Sequence, residues 1–199
     1  MFLSKNKRGF SYVEIMVVVF IMMVISTIVV IGLNKQGGQG ELFISSQKIL
    51  SDLRLAQSYA LSTKEINGEN PDGGWGVFFD KNRDSYAIFG DQGTIDNISN
   101  YVCILDCSDS SEELYSTVNF SEGNHLDQII LTRSSDGSEA FVDKINIVFE
   151  PPDPKIHLCV SEGDCDYDKV DLIVVDEAFN KQKITVNFFG LIDINEIVY

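Results

Sequence analysis

The sequence has few basic residues. Among its 199 residues there are 15 Lys and Arg but 30 Asp and Glu, which gives a formal net charge of −15 at pH 7. Proteins that wrap nucleic acid need clustered Lys and Arg side chains against the phosphates. The composition therefore argues against nucleic acid as a partner. It suits a surface exposed to water, or partners that supply cations.

Sequence motifs of the common enzyme classes are also missing. The chain has no phosphate-binding glycine loop and no zinc-protease motif, and neither His125 nor His157 has a serine or cysteine nucleophile motif nearby. It shows no internal repeat. Because 44% of the residues are apolar, the length allows one domain of ordinary size plus an appendage. We expect a protein that is not an enzyme and that needs no cofactor.

What the sequence does have is one long apolar run near its N-terminus. The run extends from Ile15 to Leu33 and is interrupted only by Ser26, Thr27 and Gly32. A helix over the surrounding segment, 10–33, would be about 36 Å long, which exceeds the roughly 30 Å hydrocarbon core of a bilayer. A membrane-spanning helix is therefore predicted.

The flanks of the run predict its orientation. No A-x-A-like cleavage site follows it, so an ordinary secretory signal peptide is not indicated. Basic residues are concentrated before the run, and the positive-inside bias then puts the N-terminus in the cytoplasm. The expected location is a bacterial inner membrane, crossed once, with the rest of the chain outside the cytoplasm.

The residues before the run form a second pattern. A basic leader, 1–9, ends at Gly9 and is followed by Phe10, and Glu14 is the fifth residue counted from Phe10. This combination resembles the processing site of type IV prepilins. The resemblance implies that a prepilin peptidase cuts between Gly9 and Phe10 and methylates the new amino group of Phe10.

The resemblance also accounts for Glu14, the only acidic residue near the apolar run. An ionised carboxylate in hydrocarbon costs roughly 2.5–3.5 kcal/mol even on lenient insertion scales. In pilin-like filaments this glutamate is thought to pair with the amine of a neighbouring subunit. Glu14 is therefore expected to act in assembly.

The predicted organisation has three parts: a leader at 1–9, a transmembrane and assembly helix at 10–33, and an exported pilin-like head at 34–199. Three glycines at 34–40 each cost a helix interior about 1 kcal/mol relative to Ala, so we expect the helix to break there. An amphipathic helix over 41–63 follows. One stripe at helical spacing should be buried, and it consists of Leu42, Ile49, Leu53, Ala56 and Ala60.

Beyond this helix the pattern changes to short strands. The predicted strands are 75–80, 85–90, 114–120, 128–133, 144–150, 155–160, 169–175, 182–189 and 191–198. Many adjacent strands after one long helix indicate an α+β fold, with the helix packed on an antiparallel sheet.

Three further segments have a weaker family resemblance. Residues 47–62 are similar to the second half of the long helix in GspH/FimT-like minor pseudopilins. Residues 75–91 are similar to the first hairpin of that group, and 184–192 to its last. The resemblance implies a structural subunit of a type II secretion pseudopilus or type IV pilus, with other pilin subunits as partners. Two alternatives stay open: a DNA-uptake minor pilin of a competence system, and a membrane-tethered binding head that does not polymerise.

The four cysteines all follow the apolar run. Outside the cytoplasm an even number of cysteines indicates disulfides. Among the three possible connectivities we favour the local one, in which Cys103 pairs with Cys107 and Cys159 with Cys165. Reduced thiols are the alternative.

Two acidic clusters are candidate calcium sites. The first has the alternating oxygen ligands of an EF-hand loop but lacks its glycine, and it consists of Asp80, Asn82, Asp84 and Asp91. The second consists of Asp164, Asp166 and Asp168. The alternative for both is a hairpin turn, in which Asp and Asn side chains accept hydrogen bonds from the backbone.

Overall fold

The computed structural model describes residues 11–93, 100–108, 112–152 and 155–197, with side chains for all of these except 29–39, 104–105 and 196–197. The chain divides into two compact units, 1–38 and 39–199, each of which is described by itself. The second unit is called the head here. Its formal net charge is −18, because 1–38 contain four basic residues and one acid, +3, out of the total of −15.

Helix α1 extends over Tyr12–Leu61. The backbone is helical through 34–40, so the predicted glycine-rich break is wrong. Glycine lowers helix propensity by only about 1 kcal/mol per residue, and propensity is a weak predictor when helix flanks the segment on both sides.

No helix among the described residues combines the length and apolarity needed to cross a membrane. The prediction of a single-pass inner-membrane protein with a transmembrane helix at 10–33 is therefore wrong.

Ten strands follow the helix within the described residues. Their bounds are β1 Gly74–Asp80, β2 Ser85–Asp91, β3 Leu114–Asn119, β4 His125–Arg133, β5 Glu139–Val142, β6 Lys144–Glu150, β7 Lys155–Cys159, β8 Tyr167–Val175, β9 Lys181–Asn187 and β10 Ile192–Ile197. A short 3-10 helix, Ile104–Cys107, lies between β2 and β3. The strands form two five-stranded sheets: sheet 1 in the order β3-β2-β1-β6-β7 and sheet 2 in the order β10-β9-β8-β4-β5.

The predicted fold class is therefore wrong. The expected fold was a long helix packed on one antiparallel sheet, with a membrane-spanning first half and a break near 34–40. The described chain is instead mostly two antiparallel sheets. The nine predicted strands are present within a few residues, and β5 is an additional one. The prediction failed in how the strands are divided between two sheets, because β1 pairs with β6 and β4 pairs with β8 across long stretches of chain.

One hydrophobic core is shared by both sheets and the part of α1 that lies in the head. The predicted stripe, Leu42 to Ala60, is buried there. The inward side chains of sheet 1 include Val77 and Ile147, and those of sheet 2 include Leu172 and Ile184. Burying such a side chain contributes about 1.5–3 kcal/mol, so this core is the main source of the head's stability.

The other face of sheet 1 has a smaller apolar cluster. Phe78, Phe89 and Val148 are buried there beneath the disulfide-bonded Cys103 and Cys107. The chain segment 100–108 therefore serves as a cover for this face of the sheet.

Two adjacent serines of α1 provide a test of this packing. Ser45 and Ser46 are both buried, and the Ser45 Oγ accepts a hydrogen bond from Asn124 Nδ2 at 2.9 Å. The Ser46 Oγ has no hydrogen-bond partner among the described residues. Because a buried unsatisfied hydroxyl costs about 1–3 kcal/mol, we expect Ser46→Ala to raise the free energy of unfolding by about 1 kcal/mol in urea denaturation.

Ser45→Ala is the matched control for Ser46→Ala. It removes the same atom one residue away, but it leaves the buried Asn124 amide without this acceptor. We expect it to lower the free energy of unfolding by about 1–3 kcal/mol. Equal effects of the two substitutions would contradict the assignment of Ser46 as the unsatisfied group.

Candidate functional site

The most unusual surface of the described chain is the first part of α1. From Tyr12 to Ile28 its large apolar side chains are between 46% and 77% exposed. The hydroxyl groups of Ser26 and Thr27 bond within the helix, Ser26 Oγ to Met22 O at 2.8 Å and Thr27 Oγ1 to Met23 O at 2.9 Å. The helix therefore presents an apolar surface in every direction. Monomeric soluble proteins rarely leave so large a patch open.

Glu14 is the only charged residue of this exposed segment. It lies in the first turn of α1 and is exposed. A carboxylate near a helix N-terminus interacts favourably with the helix dipole, by about 0.3–1 kcal/mol at an exposed site. Gly9 and Phe10 lie outside the described residues, so the predicted cleavage site is a sequence prediction only.

Both predicted disulfides are present. Cys103 is bonded to Cys107 and Cys159 to Cys165. Each bond closes a short loop next to sheet 1: the first lies in its cover segment, and the second follows its edge strand β7. The preferred local connectivity is confirmed.

A buried asparagine connects the two disulfide loops. Asn146, on β6, accepts a hydrogen bond from Cys103 N at 3.1 Å through its Oδ1 and donates one to Cys159 O at 3.2 Å through its Nδ2. It is 1% exposed. The side chain therefore holds the cover segment to the sheet. Nothing in the sequence pattern distinguishes it from a surface asparagine.

Asp91 also binds the cover segment, at Tyr101 near its start. Its carboxylate accepts hydrogen bonds from Gly93 N at 2.9 Å and Tyr101 N at 2.8 Å. Burial raises the pKa of Asp91, and the backbone donors oppose that shift by favouring the carboxylate. Asp91 therefore has a structural role, which its place in the predicted calcium cluster did not indicate.

Tyr101 extends this arrangement to an edge of sheet 1. Its ring stacks on His157 with a centroid distance of 3.7 Å and an interplanar angle of 5°. His157 Nε2 lies 2.7 Å from Glu150 Oε2. The pKa of Tyr101 is raised by burial and by the nearby Glu150 carboxylate. These contacts fix the cover segment; they do not bring a nucleophile next to a base.

The structure does not assemble the first predicted calcium cluster. Asp80 accepts the backbone N–H of Asn82 at 2.9 Å and lies 3.5 Å from Arg83 Nε. Asp91 is at the opposite end of β2 from Asp84, which precedes that strand. The first cluster is therefore a hairpin turn with an ion pair, as the alternative interpretation held.

The second cluster is likewise divided among separate partners. Asp168 Oδ1 accepts a bond from Ser134 Oγ at 2.7 Å, and Asp164 Oδ2 accepts one from Tyr167 OH at 3.1 Å. Within the described ranges, no group of three or more His, Cys, Asp or Glu side chains is arranged to hold a metal ion. The calcium hypothesis has no support there.

An aromatic cluster at the C-terminal end of α1 was not predicted as a unit. The rings of Tyr59, Trp75 and Tyr115 contact one another edge to face, with centroids 4.9–5.7 Å apart. The Lys64 ammonium lies 3.6 Å from the Tyr59 centroid and 2.8 Å from the Tyr115 hydroxyl. That hydrogen bond lowers the pKa of Tyr115. Lys64 already occupies the cation position of this cluster.

A cleft of about 540 Å³ lies on the head where three loops meet. It is bordered by the β1–β2 turn, the β3–β4 connection and the start of the β8–β9 turn. Its lining residues are Lys81, Asn82, Asp84, Phe120, Ser121, Glu122, Gly123, Asn124, His125 and Glu177. Three of the four charged groups are carboxylates, so the cleft favours a cationic group.

No family model matches the chain, and neither a curated protein nor a solved structure is significantly similar to it. The functional assignment consequently depends on the sequence pattern at the N-terminus and on the surfaces described above.

Proposed function

We propose that this chain is a structural subunit of a pilin-like filament, a minor pilin or pseudopilin of a type II secretion or type IV pilus machine. The observation that carries the proposal is the exposed apolar helix from Tyr12 to Ile28. Burying each of its large side chains against a neighbour would contribute about 1.5–3 kcal/mol. Helices of like subunits are partners with a matching apolar surface.

The sequence pattern before the helix supports the same proposal. A basic leader, the Gly9-Phe10 junction and Glu14 resemble the prepilin processing site. Cleavage by a prepilin peptidase would create an amino group on Phe10. In a dry bundle of helices that amine and the Glu14 carboxylate of a neighbour would neutralise each other. A carboxylate at this position therefore serves assembly, since by itself it would only make the bundle more costly to form.

The test separates processing from assembly. In Glu14→Val the leader should be removed at the normal rate, because the Gly9-Phe10 junction is unchanged. Incorporation into sheared filaments should fall at least tenfold, since leaving one partner of a buried ion pair uncompensated costs roughly 3–5 kcal/mol. Both quantities are measured by immunoblot of the full chain in cells that contain the peptidase and the assembly machine.

Two further variants complete the design. Ser26→Val also makes the helix more apolar but leaves Glu14 in place, so its incorporation should match the unmodified chain. Gly9→Val should block leader removal, because a side chain there obstructs the peptidase. Normal incorporation of Glu14→Val would exclude the ion pair, and unimpeded processing of Gly9→Val would exclude the prepilin assignment.

A further inference from the structure

The outer surface of α1 within the head has an unusual composition. Outside the buried stripe, four large apolar side chains are exposed beside the polar residues of the helix, namely Phe43, Ile44, Leu55 and Leu61. Lys48 and Arg54 are exposed between them. An amphipathic helix ordinarily turns a polar face to water. This side of the helix combines apolar area with two cations and one carboxylate, Glu41, on a head whose net charge is −18.

These two cations differ from most of the others on the head. Lys81, Arg83, Lys144, Lys169 and Lys181 form ion pairs with aspartates 2.5–4.0 Å away. Lys48 and Arg54 have no ion-pair or hydrogen-bond partner for their side chains within the described ranges. On so acidic a protein, two unpaired cations on the exposed side of one helix indicate a surface that meets an acidic partner.

The cleft described above has the opposite charge to these two cations. Asp84, Glu122 and Glu177 line it, and their carboxylates have no side-chain partner among the described residues. The one lysine in its wall, Lys81, is held by Asp143 at 2.6 Å. The Phe120 ring adds an apolar wall against which the stem of a long cationic side chain can pack.

We propose that the cleft of one copy receives Lys48 and Arg54 from the α1 face of a second copy. This inference rests on the proposed function, since it names a contact between heads in the same filament. The two surfaces are different patches of one chain, so the contact is heterologous. Heterologous contacts that do not close into a ring produce open helical assemblies.

The position of the cleft along α1 gives the offset between copies. Asn124 lines the cleft and donates its Nδ2 hydrogen to Ser45 Oγ at 2.9 Å. The cleft is therefore at the level of Ser45, while Lys48 and Arg54 are three and nine residues further along the helix. At about 1.5 Å per residue, two copies would be displaced by roughly 5–14 Å along the helix direction.

The first experiment identifies the contact by chemical cross-linking. Full-length light and ¹⁵N-labelled chains are mixed in detergent and treated with a zero-length carbodiimide, which joins an amine to a carboxylate. We expect light–heavy peptides that link Lys48 to Glu122, Glu177 or Asp84. Light–heavy links from Lys48 to other carboxylates only, or no light–heavy link from Lys48, would overturn the proposal.

The second experiment is a charge exchange, read as filament incorporation. Arg54→Glu and Glu177→Arg should each lower incorporation at least tenfold, and the double variant should recover most of the loss. Lys155→Glu is the matched control: it reverses an exposed cation on β7 that is likewise unpaired in the described chain, and it should have no effect. Loss in both single variants without recovery, or no loss in either, would overturn the proposed contact.

The two proposals fail in different ways. If the unmodified chain never enters filaments but the light–heavy link forms, the proposed function is wrong and the contact stands. If the unmodified chain is incorporated and the Arg54 and Glu177 variants are incorporated equally well, only the contact is wrong.

Discussion

Gly74→Ala is expected to destabilise the head by more than about 4 kcal/mol, a loss seen only when a substitution meets a specific structural obstacle. A Cβ at this position would lie 2.1 Å from Phe149 O and 2.9 Å from Phe149 C. Both atoms belong to the backbone of β6, so no side-chain rotation relieves the overlap. Sheet 1 would have to separate between β1 and β6.

The backbone conformation adds a second cost at the same residue. Gly74 has a φ of +95°, which side-chain-bearing residues rarely adopt. Gly68 isolates this contribution, because its φ is +86° and a Cβ added there would have nothing within 4 Å. We expect Gly68→Ala to cost only about 1–2 kcal/mol. Urea denaturation of both variants measures the difference, and equal losses would rule out the steric contribution.

The second large effect is expected at Asn146. Asn146→Ala removes the acceptor for Cys103 N and the donor for Cys159 O, in a site that water does not reach. Each buried polar group that loses its partner costs about 1–3 kcal/mol. We therefore expect a loss of about 2–5 kcal/mol in the free energy of unfolding.

A surface asparagine provides the comparison for Asn146. Asn119 ends strand β3 and is exposed, so Asn119→Ala should change stability by less than about 0.5 kcal/mol. Hydrogen exchange locates the effect: in Asn146→Ala, the amide of Tyr101 should exchange faster relative to that of Leu172 in sheet 2. An unchanged ratio would show that the cover segment is held by other contacts.

Local features of the fold were predictable from local sequence. The buried stripe of α1 follows from the spacing of Leu42, Ile49 and Leu53. The turn between β9 and β10 follows from Gly190, whose φ is +82°. Strand β5 was missed because it has four residues, Glu139–Val142, at the edge of sheet 2. An edge strand this short leaves no periodicity to detect.

The division into two sheets could not be predicted in the same way. β1 pairs with β6 although strands β2 to β5 lie between them in the chain, and the register joins Val77 to Ile147. Alternation identifies which face of a strand is buried, but it does not identify the neighbouring strand. The same limit explains the incorrect expectation of a single sheet.

In the candidate site, too, features within one short segment could be predicted and features that join distant segments could not. The disulfide partners were predictable because each pair is close in sequence. The cleft was not, because Asp84, Glu122 and Glu177 come from three separate loops. Asn146 and Asp91 were missed as structural groups, since their partners are backbone atoms that no sequence pattern reveals.

The short disulfide loops have a consequence for how the thiols find each other. The bonded cysteines are separated by four and six residues, whereas the alternative pairings join cysteines 52 to 62 residues apart. Loop closure costs about (3/2)RT ln n, so in an unfolded chain each local encounter is favoured by roughly 2 kcal/mol, or about 40-fold, over a distant one. Chain statistics therefore favour the native pairing when the unfolded chain is oxidised.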